Sequence, residues 1–127
     1  MFNYELSSKA EKYVVQKDSI FVLLKNGNIM FGKMGEELDF LDAGKAKYQE
    51  LSLCGSDVLV LTKSYIIKIV TPNGNAKKII RAGVEISNVL PIYISTNMYV
   101  LLAVQGNKTC LLNCYKSGKN NYLQPCP

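Results

Sequence analysis

The feature that most constrains this chain is a threefold rhythm of apolar runs. Asp18-Ser-Ile-Phe-Val-Leu-Leu-Lys, Asp57-Val-Leu-Val-Leu-Thr-Lys and Asn97-Met-Tyr-Val-Leu-Leu-Ala-Val each open on a short polar residue and continue almost without interruption as aliphatic side chains. Their first residues stand 39 and 40 positions apart. A fixed period of that size marks a repeated supersecondary unit, whose identity decides the fold. Each run is followed by a turn and a second apolar segment, at 28–33, 65–71 and 108–115. The first of these turns contains Asn26-Gly27, the strongest short hairpin signal because both residues tolerate positive φ.

The remaining segments fill out each unit. Strands are expected ahead of the three runs at 12–16, 48–53 and 84–90, and fourth strands behind them at 38–41, 76–81 and 121–124. Glycines punctuate the series. Twelve short strands separated by turn signals predict one all-β domain over 1–127, with units of about 40 residues at 12–46, 47–83 and 84–127. The one helix candidate, 35–49, contains Gly44 and has no sustained apolar face.

The second unit carries the most distinctive text. From Asp57 to Ile80, and above all in Ile67-Lys-Ile-Val-Thr-Pro-Asn-Gly-Asn, it resembles a β-propeller blade of the NHL type and its relatives. The first and third units keep the rhythm but lack the Pro-Asn-Gly turn, and the chain has no Trp and no WD or kelch signature. The resemblance implies four-stranded blades whose faces are covered by neighbouring blades. Propellers close with roughly four to eight blades. A three-bladed chain is therefore expected to close with a second copy, as a homodimer. The alternative is a monomeric β-trefoil, which also has three four-stranded units and closes within one chain.

Composition bounds the class. Of the 127 residues, 48% are hydrophobic and 20% charged, which is ordinary globular usage. No stretch approaches the roughly 18 uninterrupted apolar residues of a membrane span. The opening Met-Phe-Asn-Tyr-Glu-Leu-Ser-Ser-Lys has no basic-then-apolar signal pattern, so a cytoplasmic location and no membrane partner are expected. Reduced thiols are then the default for Cys54, Cys110, Cys114 and Cys126, with a Cys54–Cys126 disulfide as the pairing the sequence leaves open. Cys110 and Cys114 share a strand face too far apart to bridge easily.

The net charge of +5 favours acidic partners. Lys77, Lys78, Arg81, Lys116 and Lys119 are the candidate polyanion-binding residues; the plain reading of the same residues is solvated strand edges.

Chemistry is sparse. With no His in the chain, Ser–His and Cys–His pairs are impossible. The densest acids, Glu36-Glu37-Leu38-Asp39-Phe40-Leu41-Asp42, read as a solvated loop and do not match a calcium loop. No phosphate-binding glycine motif occurs, and no metal or cofactor is expected. Asp18, Asp57 and Asn97 begin the three runs, either as turn residues bonding nearby amides or as a ring of polar groups at one end of the fold.

Several tyrosines sit beside lysines, as in Lys47-Tyr48 and Tyr115-Lys116, where they could stack bases or simply pack in strands. The expected function is a non-enzymatic intracellular binding module that engages a protein partner through loops on a rigid β scaffold, as an inhibitor, immunity-type or assembly protein. The alternatives are a nucleic-acid-binding β domain and a small lectin-like module.

Overall fold

The computed structural model describes residues 5–44, 47–82, 84–117 and 120–123, with side chains described over 5–42, 47–82 and 84–117. Twelve strands and one 3-10 turn (Leu41–Gly44) run through them, so the fold is all-β. The first sheet is the meander β1 (Ala10–Gln16), β2 (Ser19–Leu24), β3 (Ile29–Lys33) and β4 (Asp39–Phe40). The second runs β5 (Tyr48–Cys54), β6 (Asp57–Thr62), β7 (Ile66–Val70) and β8 (Ala76–Ala82); the third runs β9 (Asn88–Ile94), β10 (Met98–Gln105) and β11 (Lys108–Tyr115). The segment 35–49, whose pattern speaks against a helix, has none in its described residues, which hold the β3–β4 turn, β4, the 3-10 turn and the start of β5.

One strand departs from the equal-unit expectation. β12 (Asn120–Leu123) leaves the third unit and pairs in parallel with β8, from Asn120 opposite Ile79 to Leu123 opposite Ala82. The strand expected at 121–124 is present on the neighbouring sheet, where it covers the open ladder edge of β8. The sheets thus hold four, five and three strands instead of four each. All other pairing stays within a unit, and no sheet closes into a barrel among the described residues.

The middle sheet explains the run at 57–62. Side chains alternate across a strand, and both faces of β6 are covered. Val58 and Val60 join Val14, Phe21, Leu23, Ile29, Leu51 and Val70 in a core shared with the first sheet. Leu59 and Leu61 join Ile67, Ile69, Ile80, Val89, Tyr99 and Leu101 in a core shared with the third. Every residue of β6 is buried. A sheet covered on both faces needs apolar residues facing both ways, and Val58-Leu-Val-Leu61 supply them through the middle of β6. The first strands of the units adjoin: β5 lies against both β1 and β9.

Three turns between strands share one geometry. In the β2–β3 turn, the Gly27 N–H donates to Leu24 C=O (2.9 Å) and the Leu24 N–H to Asn28 C=O (2.9 Å), with Gly27 at φ +90°. Thr71 and Gly74 repeat this between β7 and β8, again with φ +90°. Between β6 and β7 the left-handed position falls on Tyr65, φ +65°, whose N–H donates to Thr62 C=O (3.1 Å). The Thr62 hydroxyl accepts the Ile66 N–H at 3.0 Å, supporting a conformation that L side chains rarely adopt.

β9 sits four residues later than the strand expected at 84–90. The expectation stopped short of Pro91, which cannot donate to a ladder. Here β9 is an edge strand, and its pairing shifts between Val100 and Leu101 where Pro91 and Ile92 pass, so the missing donor is tolerated. The segment before it inserts Ile86, fully buried, into the second core.

Cys54 and Cys114 are free and buried, whereas Cys110 is disulfide-bonded. This corrects two expectations: the thiols are not all reduced, and Cys54 is not a disulfide partner. No helix among the described residues is long and apolar enough to cross a membrane.

Candidate functional site at the turn end of the sheets

The turns that lead into β2, β6 and β10 gather at one end. β1 and β2 join through Lys17 (φ +55°) and Asp18, and β5 and β6 through Gly55 (φ +61°) and Ser56. The Gln16 side-chain amide donates to Gly55 C=O (2.8 Å) and Asp57 C=O (2.9 Å), tying the first turn to the second. Gly55 in turn abuts β9, where an added Cβ would lie 3.1 Å from Ile94 Cδ1. Asp18, Asp57 and Asn97 are therefore arrayed along the same end.

Their individual roles differ from simple turn capping. Asp18 and Asn97 contribute backbone carbonyls, which accept the Met34 and Lys116 N–H groups at 2.7 Å each and close the outer hairpin of their sheets. The side chain that caps the third turn is Ser95, whose Oγ accepts the Asn97 N–H (3.3 Å) and the Met98 N–H (3.0 Å). Asp57 is the first residue of β6, and its buried carboxylate accepts a bond from Lys77 Nζ at 2.9 Å.

The basic residues are only partly brought together. Opposite Ile69 and Val70 the β8 register slips by one, leaving Lys77 as an extra residue between the pairs Ile69–Lys78 and Val70–Ala76. Such a bulge re-aims side chains, and consecutive lysines both reach toward the third sheet. Lys77 binds Asp57, while Lys78, only 1% exposed, donates to Ser117 C=O at 2.9 Å. Lys116 lies with its Nζ 5.1 Å from the Tyr99 ring centroid, a cation–π distance. Arg81 is exposed and pairs with Ile66, on the opposite face of β8 from Lys78 and Ile80. Lys119 falls outside the described residues. The expected five-residue polyanion surface is thus not one surface: Lys78 is core, and Arg81 faces away.

Around this point Cys54, Asp57, Lys77, Tyr99, Cys114 and Lys78 form a polar seam between the second and third sheets. Burial, reinforced by the Asp57 carboxylate, pushes the Cys54 thiol up to about 11 against the opposing pull of Lys116 and Lys77. Burial likewise raises Cys114 and Tyr99, with Lys78 and Lys77 respectively acting the other way. The bond to Asp57 holds the Lys77 ammonium above its usual value despite some desolvation. These thiols stay protonated, the inert state of a structural cysteine.

A second polar cluster, invisible in the sequence, joins the first and second sheets. Asp42, at φ +58°, accepts from the Tyr48 hydroxyl and from Lys68 Nζ (2.8 Å). Burial alone would raise the Asp42 carboxyl, but the bonds from Lys68 and Tyr48 hold it below its usual value. Tyr48 is pushed up strongly by burial and by the same carboxylate. Asp42 is exposed like its neighbours Glu36, Glu37 and Asp39, and differs from them in these two bonds. Lys68 lies 26 positions away, so no local signal connects them.

At the turn end, Thr96, Asn97, Tyr115, Lys116 and Ser117 line an open hollow of about 290 Å³. It offers hydroxyls, an amide and one cation, a set suited to accepting a polar group from another molecule. Among the described residues, no three His, Cys, Asp or Glu side chains are placed to hold a metal ion. No family model and no curated protein matches this sequence.

Proposed function

We propose that this chain is a non-enzymatic binding module built from three propeller-type blades, which engages a protein partner through the turn end of the array. The blade reading is supported by three antiparallel meanders stacked face to face with their first strands adjoining. A trefoil joins strands of different units into a barrel, whereas among the described residues pairing between units is limited to β12 with β8. The observation that carries the binding role is the row of turns at one end, the first tied to the second by Gln16 and the third capped by Ser95, because loops fixed on a rigid scaffold are where binding residues concentrate. Protonated, buried thiols and the absence of His favour binding over catalysis. A nucleic-acid surface has less support, since Lys78 is buried and Lys77 is paired.

Cys110's disulfide fits an oxidising compartment better than the cytoplasm first expected. Lysine cross-linking in the source cells, followed by peptide mass spectrometry, tests the binding role. Cross-links from Lys17, Lys77 or Lys116 to one recurrent protein are expected; inter-protein links confined to Lys25, Lys47 and Lys63 would overturn it. Nucleic acid retained at low salt and lost steeply as salt rises would favour the polyanion reading instead.

A further inference from the structure

The two end sheets each leave an apolar face uncovered. On the first sheet, the register aligns Tyr13, Val22, Met30 and Phe40 in one row across the face away from the core, with Val15, Ile20 and Gly32 in the next. On this face Tyr13 is 67% exposed and Val15 and Phe40 are exposed beside it, around Val22 and Leu24, which are already buried within the chain. On the third sheet, the outer rows are Leu90, Leu102 and Leu111, then Tyr93, Val100 and Asn113. Leu111 is 60% and Tyr93 62% exposed, and Ile92 joins them at the bulge.

We infer that these two faces cover each other between two copies of this chain, the outer face of the first sheet on the outer face of the partner's third sheet. The contact occurs twice about a two-fold axis and closes a ring of six sheets. This inference rests on the blade reading above.

Three observations select a second copy as the occupant. First, β2 and β10 have the sequence of strands covered on both sides. Ile20 through Leu24 and Tyr99 through Val104 are apolar at every position, as Val58 through Leu61 are, yet only the sheet of β6 has two neighbours, and Val100, Leu102 and Val104 stay half-exposed. Second, the free faces are the two halves of a contact the chain already makes twice. The first sheet presents its other face to the second, and the second presents its other face to the third. Continuing that stacking step brings the third sheet of one copy to the first sheet of the next.

Third, the charges are complementary. Residues 5–44 carry seven acidic and five basic side chains, whereas 84–117 carry one acidic and two basic. Glu36 and Glu37 precede β4, the outer strand of the first sheet, and the exposed Lys108 begins β11, the outer strand of the third. With strands about 4.8 Å apart and about 20 Å long, the three-stranded third sheet limits the four faces to roughly 1,200 Å² in plane, the lower end of the range for a stable interface.

A head-to-tail contact closes into a ring or runs on as a filament according to the rotation per step. The experiment is sedimentation of the wild type, of Tyr13→Glu/Val15→Glu and of Leu111→Glu, each checked for a native circular dichroism spectrum. The wild type is expected at twice the chain mass, and both variants as monomers. Mixing the two variants should restore dimers, because a mixed pair retains one contact made of two unaltered faces. A monomeric wild type, a filament, or a dimer broken by only one variant would overturn the inference. A monomer that still cross-links to its protein partner at the turn end would remove the ring and leave the binding module standing.

Discussion

β6 and β10 are composed almost alike, but their surroundings are not. Asp57-Val-Leu-Val-Leu-Thr is enclosed by a sheet on either side, and all of it is buried. In Met98-Tyr-Val-Leu-Leu-Ala-Val-Gln, Tyr99, Leu101 and Ala103 are buried while Val100, Leu102 and Val104 remain half-exposed. The difference is one of neighbours, not of residue type. An apolar strand residue therefore contributes what its covering sheet allows, and the same Leu has a different energetic weight on the two faces of one strand.

The largest expected effect probes that contrast directly. Leu59→Ala removes a fully buried side chain from the middle sheet and should cost about 3 kcal/mol by urea denaturation. Leu102→Ala, at concentrations where the chain is monomeric, should cost less than about 1 kcal/mol. Equal losses at every concentration would break the comparison.

Next come two glycines, one between sheets and one on an open turn. At Gly74, φ +90°, an added Cβ would collide with the Phe31 ring, which is stacked 5.4 Å from Phe21. Gly74→Ala should cost about 2–3 kcal/mol, combining backbone strain with displacement of that ring. Gly106, φ +61°, has no atom within 4 Å of such a Cβ, so Gly106→Ala should cost only about 1 kcal/mol of backbone strain. Thermal melts of the pair would show whether the first-to-second sheet contact is as tight as it looks.

The smallest effect concerns the seam between the second and third sheets. An ordinary thiol ionises near 9, whereas the folded Cys54 thiol holds its proton to about 11. Between those values the unfolded chain binds fewer protons than the folded one, so stability falls as pH rises. Below pH 9 this contribution is fully present. From pH 9 to 10.5 the wild type should lose roughly 1 kcal/mol more than Cys54→Ala, measured as the change in urea midpoint for each. Parallel pH dependences would mean that the seam is wetter than its burial suggests.

Much of the fold could be read from the chain because its strands are short and its turns declare themselves. The three apolar runs, the Asn-Gly turns and the boundaries of β11 all follow local rules. What escaped was non-local. Nothing near Tyr65 announces a left-handed residue, because the supporting turn is built by Thr62. Lys78 shares the inward face with Ile80, but the bond that makes a buried lysine tolerable there goes to Ser117 C=O, 39 positions away. The Gln16 bond to Gly55 spans 39 positions and the Asp42–Lys68 pair spans 26, so neither leaves a local trace.

The parallel pairing of β12 with β8 has a consequence for the order of assembly. Asn120 meets Ile79, some forty positions earlier, so the edge of the second sheet stays open until the third has been synthesised. Closing so long a loop is slow relative to forming hairpins. The first unit can form its hairpins as it emerges from the ribosome, although its core closes only when the second sheet is there to share it. The second and third must mature together, and a stall between them would leave β8 exposed to any strand that arrives first.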